Sequence, residues 1–100
     1  MIGIDITSID RFAELPVDRL HRIAVKYHTE FKSAREAAKW WACHEAIIKC
    51  LGHSPDWETS KITFPEHSAP LYTGSENIKL SLSHESKLVV AVAIHQQMLT

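Results

Sequence analysis

Several polar residues in this chain stand where a plain hydrophobic core would not put them. Glu45 and Lys49 lie four apart in the stretch Ser33 to Gly52, SAREAAKWWACHEAIIKCLG. On a helix they share one face, with Glu first, the favourable order for an ion pair. Trp41 precedes Glu45 by one turn and His44 adjoins it, so the carboxylate is expected to be semi-buried. The plainer alternative is an exposed pair worth roughly a few tenths of a kcal/mol. Asp5 interrupts a run of β-branched residues, although aspartate is a poor strand former. Ser81, Ser83 and His84 fall where a strand enters a turn. There they either satisfy their own backbone or hold phosphate oxygens. Arg19, Arg22 and Lys26, spaced three and four apart with Arg11 nearby, make a basic stripe in a chain of formal charge -1. Such a stripe is commonly a solvated helix face.

The elements that position these residues follow from pattern. Ser33 can accept from the amide three residues on while Glu36 reaches back, a capping box, and Gly52 supplies the left-handed stop. Between them Ala37, Trp40, Trp41, Ala42, Ile47, Ile48 and Leu51 recur at helical spacing, which predicts one long helix facing a core. Met1 to Thr7 alternates with period two. That predicts a strand with Ile2, Ile4 and Ile6 on the core face, Asp5 pointing away, and Gly3 leaving room for something to approach the backbone. Ser8 to Phe12 begins a short turn or helix. Pro16 fits the first turn of a second helix running to about His28, whose buried side is Leu20, Ile23, Ala24 and Tyr27.

Beyond the long helix, His53 to Ser60 reads as a loop, Ile62 to Phe64 as a strand stopped by Pro65, and Ala69 to Tyr72 as a short extended piece. A turn around Gly74 leads to the alternating strand Ile78 to Ser83. His84 to Lys87 closes a tight connection, and Leu88 to Ile94 reads as a strand buried on both faces. The order predicts an α+β fold, a long central helix packed on an antiparallel sheet, with residues 1–100 as one domain.

Composition narrows the function. With 45% apolar residues in 100, the chain suffices for one modest core. A charge of -1 argues against broad nucleic-acid binding. Cys43 and Cys50, the only cysteines, are roughly 10 Å apart on a helix, beyond disulfide reach, and read as reduced thiols of a cytoplasmic protein. No leader and no membrane-spanning run is visible, so no membrane partner is expected.

Taken together, G-I-D-I at residues 3 to 6, W-A-C-H-E-A-I-I-K at 41 to 49 with Leu51 and Gly52 behind, and L-S-L-S-H at 80 to 84 before an alanine-rich strand resemble the phosphopantetheinyl transferases. The similarity is to the holo-(acyl-carrier-protein) synthase type. It implies that fold, and it implies transfer of the 4'-phosphopantetheine arm of coenzyme A to a serine of an acyl carrier protein with magnesium. The implied roles are Asp5 and Glu45 as metal carboxylates, with Lys49 one turn on at the phosphate. His84, with Ser81 and Ser83, would bind the coenzyme. Arg11 would face the carrier protein, and the stripe Arg19, Arg22 and Lys26 would extend that docking face. A homotrimer with coenzyme A between subunits is also implied. A diphosphate attacked by a hydroxyl does need a hard cation, and magnesium prefers one or two carboxylates completed by water and phosphate.

The departures from the family pattern are specific. His44 stands where the family has Lys, and a protonated imidazole would serve in its place over part of the pH range; the alternative is a packed ring without phosphate contact. Trp40 stands where an arginine is common, with Lys39 one step earlier. The G-x-P piece reads Ser68, Ala69, Pro70. The segment before the central helix is short, leaving Glu30 as the nearest candidate for the acid that orders a proton-accepting water. An alternative is therefore a member that binds coenzyme A or a carrier protein and transfers little.

Overall fold

The structure, a computed structural model, describes residues 1–96. Strand β1 (Ile2–Ser8) leads into the short helix α1 (Ile9–Ala13), then α2 (Val17–Lys26) and the long helix α3 (Ala34–Leu51). Two short strands follow, β2 (Ile62–Thr63) and β3 (Leu71–Tyr72), and then the hairpin β4 (Ile78–Glu85) and β5 (Leu88–His95). One antiparallel sheet has the order β1-β5-β4, and β2 and β3 pair in a second. The fold is α+β, with α3 lying across one face of the three-stranded sheet.

Helix α3 ends where its capping residues dictate. Ser33 Oγ accepts from the Glu36 amide at 3.1 Å, and Gly52, at φ 82°, closes the C-terminus with its N–H donating to Ile48 O. Strand β4 runs two residues further than the alternation suggested. His84 and Glu85 remain paired with Val89 and Leu88, and the turn is only Ser86 and Lys87, with Ser86 at φ 55°. The core joins Ala42, Cys43, Ala46, Ile47 and Cys50 of α3 to Val89, Ala91 and Ala93 of β5, all fully buried. These are mostly small side chains, which lets helix and sheet approach closely.

That approach reverses the expected faces of β1. The alternation is present, but Gly3, Asp5 and Thr7 face α3, while Ile2, Ile4 and Ile6 are 62%, 53% and 65% exposed. A Cβ on Gly3 would run into the carbonyl of Ala46 and lie 2.6 Å from the Cys50 nitrogen. The approach that Gly3 leaves room for is that of α3 itself. With a side-chain period of two, placing Gly3 under the helix places Asp5 and Thr7 there too. Asp5 therefore does not point away from the core. Strand β5 differs for a related reason. Val89, Ala91 and Ala93 are covered by α3, but Leu88 and Ile94 are exposed on the other face, where no second layer lies among the described residues.

Replacing Gly3 by alanine is expected to cost about 3 kcal/mol or more, because the neighbours are backbone atoms that cannot swing aside. Urea unfolding of Gly3→Ala against wild type checks this; a loss under about 0.5 kcal/mol would mean that α3 does not sit so close.

Candidate active site

The reversed β1 brings Asp5 to Lys49. Lys49 Nζ lies 3.1 Å from Asp5 Oδ1 and donates to the Ile4 carbonyl at 3.0 Å. Thr7 Oγ donates to the other carboxylate oxygen, Oδ2, at 2.7 Å. The Asp5 side chain is 14% exposed and that of Lys49 53%. Lys49 thus reaches across to β1, where the sequence suggested a partner in Glu45. Glu45, one turn before it, is half-buried as expected. The Asp5 carboxylate beside an ammonium suits a hard cation that also carries phosphate. Among the described residues no three His, Cys, Asp or Glu side chains gather as a closed metal cage. Substrate oxygens would have to complete such a site.

His44 stands apart from this polar group. Its ring is almost fully buried, stacked on Trp40 at 4.8 Å and 16°, and surrounded by Tyr27, Trp41 and Trp57. Neither ring nitrogen has a hydrogen-bond partner among the described residues. Burial, with a smaller push from Lys26 and an opposing pull from Asp5, lowers its pKa from 6.5 to about 4. The ring is therefore neutral near pH 7, so the expected cationic stand-in for a lysine gives way to the packed alternative. Its Nδ1 approaches Glu45 Oε1 no closer than 3.8 Å. Next to it, burial pushes the Cys43 thiol up to about 12, which removes it as a nucleophile.

Ser81, Ser83 and His84 lie on β4, the opposite edge of the sheet from β1. Parity divides them: Ser81 and Ser83 face away from α3, and His84 lies on its side. An open cleft of about 630 Å³ borders this edge, lined by Lys39, Phe64, Ser68, Pro70, Ser81 and His84 among others. Ser83 is not in its wall. Trp40 is buried in the aromatic cluster, whereas Lys39 reaches the cleft. Across the sheet Thr7, Val89 and His84 form one row, two strand spacings or about 10 Å wide. Within one copy, Asp5 and Lys49 on one edge and His84 on the other are thus held apart.

The basic residues are exposed, but they do not form one even stripe. Arg11 and Arg19 flank a small notch with Phe12, Leu15, Ile23 and Trp41, and Arg11 lies over the Phe12 and Trp41 rings. Arg22 pairs with Asp18 at 3.7 Å, and Lys26 lies over Tyr27. Glu30 is exposed and borders a separate cleft beside α2. Two residues went unassigned in the sequence reading. Thr7 shares a strand face with Asp5, a signal that was available once Gly3 was placed under the helix. Lys39 lines the cleft, one step before the position where an arginine is common in the family.

No protein-family model matches the sequence. The holo-[acyl-carrier-protein] synthase of Nautilia profundicola is 33% identical over 111 residues, covering 94% of this chain and 97% of its own. A crystal structure of Helicobacter pylori holo-[acyl-carrier-protein] synthase in complex with coenzyme A is 29% identical, with TM-score 0.63, over 94% of this chain and 98% of that one. The synthase of Neisseria meningitidis, 20% identical with TM-score 0.73 over 96% and 97%, shares the fold.

The burial of His44 has a measurable consequence. Its folded pKa lies below its unfolded one, so between about 6.5 and about 4 the unfolded chain takes the proton first. The stability present above pH 6.5 should therefore decline as pH falls toward 4, by at most roughly 1.4 kcal/mol per unit from this group. His44→Phe should match wild type at pH 7 to within about 1 kcal/mol and gain on it as pH falls. Denaturant titrations at several pH values check this, and a constant difference would show that the ring is not buried neutral.

Proposed function

We propose, for a chain that belongs to the holo-[acyl-carrier-protein] synthase family of 4'-phosphopantetheinyl transferases, that it moves the phosphopantetheine arm of coenzyme A onto a serine of an acyl carrier protein. The observation that carries this reading down to residues is the Asp5 carboxylate held under α3 by Thr7 and Lys49, Glu45 being one helical turn before Lys49 on α3. Asp5 and Glu45 would hold magnesium, which when bound neutralises charge on the diphosphate under attack. The ammonium of Lys49, on a flexible stem, would meet a phosphate oxygen and stabilise the leaving adenosine 3',5'-bisphosphate. Thr7 orients Asp5. His44 packs the helix and leaves charge stabilisation to Lys49.

The cleft on the β4 edge suits the rest of the coenzyme, with Lys39, His84 and Ser81 as donors to its phosphate. This polar wall and the Asp5 group lie on opposite sheet edges, which supports a site completed between copies. The uncovered sheet face supports the same view. Ile2, Ile4, Ile6, Leu88 and Ile94 are exposed together there, and a contiguous apolar patch of that kind marks an association surface. A cyclic homotrimer would cover these faces and bring the β1 edge of one copy beside the β4 edge of the next. The free, buried thiols of Cys43 and Cys50 fit a reducing cytoplasm.

Incubation of the protein with apo carrier protein, coenzyme A and Mg2+ should add the mass of phosphopantetheine to the carrier. Asp5→Asn or Glu45→Gln should lower that rate by at least about a hundredfold. Coenzyme A binding with no mass added would support a member that binds without transferring.

The notch between α1 and α2, apolar and flanked by Arg11 and Arg19, fits an acidic helix of the carrier. Reversing both charges to Glu should raise KM for the carrier by on the order of tenfold at low salt and leave KM for coenzyme A nearly unchanged. Steady-state kinetics with each substrate varied in turn measures this; an equal loss toward both would make these residues structural.

A further inference from the structure

We propose that Lys49 competes with the divalent cation for the Asp5 carboxylate, so that the phosphate of the coenzyme, by drawing Lys49 away, opens Asp5 to the cation. The inference rests on the magnesium reading above. It starts from the two partners of Asp5, which differ in mobility. Thr7 is 3% exposed and holds Oδ2 at 2.7 Å, so it is packed in place and serves as a fixed orienting donor. Lys49 holds Oδ1 at 3.1 Å with its side chain 53% exposed, on a four-carbon stem with rotatable donors. Only the second partner is free to leave.

The position of that ammonium matters more than the number of hydrogen bonds. A carboxylate oxygen can accept more than one partner, but a cation arriving at Oδ1 meets a positive charge already there. Both charges would share one oxygen at a half-buried place where screening is incomplete. The ammonium is further held by the Ile4 carbonyl at 3.0 Å, so it does not leave without a better acceptor. A coenzyme phosphate is such an acceptor, since ammonium–phosphate bonds are charge-assisted. Once Lys49 has turned to phosphate, Asp5 Oδ1 is free of the neighbouring positive charge. Cation and coenzyme then strengthen each other's binding, and the coupling is reciprocal.

The test is the affinity of Mn2+, read by electron paramagnetic resonance, for wild type and for Lys49→Met, each without and with coenzyme A. Without coenzyme, Lys49→Met should bind Mn2+ about tenfold more tightly than wild type. With saturating coenzyme the two should differ little, so the gain in Mn2+ affinity caused by coenzyme shrinks by about the same tenfold in the variant. Lys49→Arg, which keeps the charge, should stay near wild type, and Lys49→Gln should repeat the result if the methionine variant folds poorly. Equal or weaker Mn2+ binding by both uncharged variants, with Mn2+ still bound by wild type plus coenzyme, overturns this inference alone. Failure of Mn2+ to bind wild type even with coenzyme overturns the metal reading with it.

Discussion

The contact between α3 and the backbone of β1 at Gly3 sets the rest of this molecule. There is no room there for a Cβ, since Ala46 and Cys50 of the helix occupy the space. Every second residue of β1 is thereby committed to the helix side. Thr7 and Asp5 become the polar pair beneath α3, within reach of Lys49, and the three isoleucines are turned outward. A single steric exclusion thus produces both the polar group beneath α3 and the apolar sheet face. The small residues of β5, Ala91 and Ala93, extend the same close packing across the sheet.

Much of the fold was legible because it rests on local signals. The capping serine and the glycine stop marked the ends of α3, and periodicity marked the strands. The faces of β1 were misread for a physical reason. Alternation tells which residues share a face but not which face is covered, and apolar residues turned outward look like core residues in sequence. Gly3 held the missing information, as the one position where a helix could come close. Strand β5 differs from its pattern in the same way, since an apolar strand with one exposed face has the composition of one buried on both.

The polar residues show a similar division. Asp5, Glu45 and Lys49 stand out in the sequence by type and spacing, and the structure places Asp5 and Lys49 in contact. His44 could not be read from its neighbours in sequence, because its environment is assembled from Tyr27, Trp40, Trp41 and Trp57, which meet only in the fold. Its neutrality is a tertiary property. The separation of His84 from Asp5 likewise depends on the strand order, with β5 between β1 and β4. In the proposed function the motifs on these two edges of one narrow sheet act together, and a neighbouring copy is the simplest way to unite them.

Subunit complementation tests that account most directly. Asp5→Asn and His84→Ala copies, each nearly inactive alone, would be co-expressed in equal amounts and assayed for phosphopantetheine transfer. If each site draws its carboxylate edge from one copy and its histidine edge from the next, random assembly leaves about a quarter of the sites intact, and activity should return to about that fraction of wild type. If all site residues act within one copy, no intact site forms in the mixture, and activity would stay at the level of the separate variants.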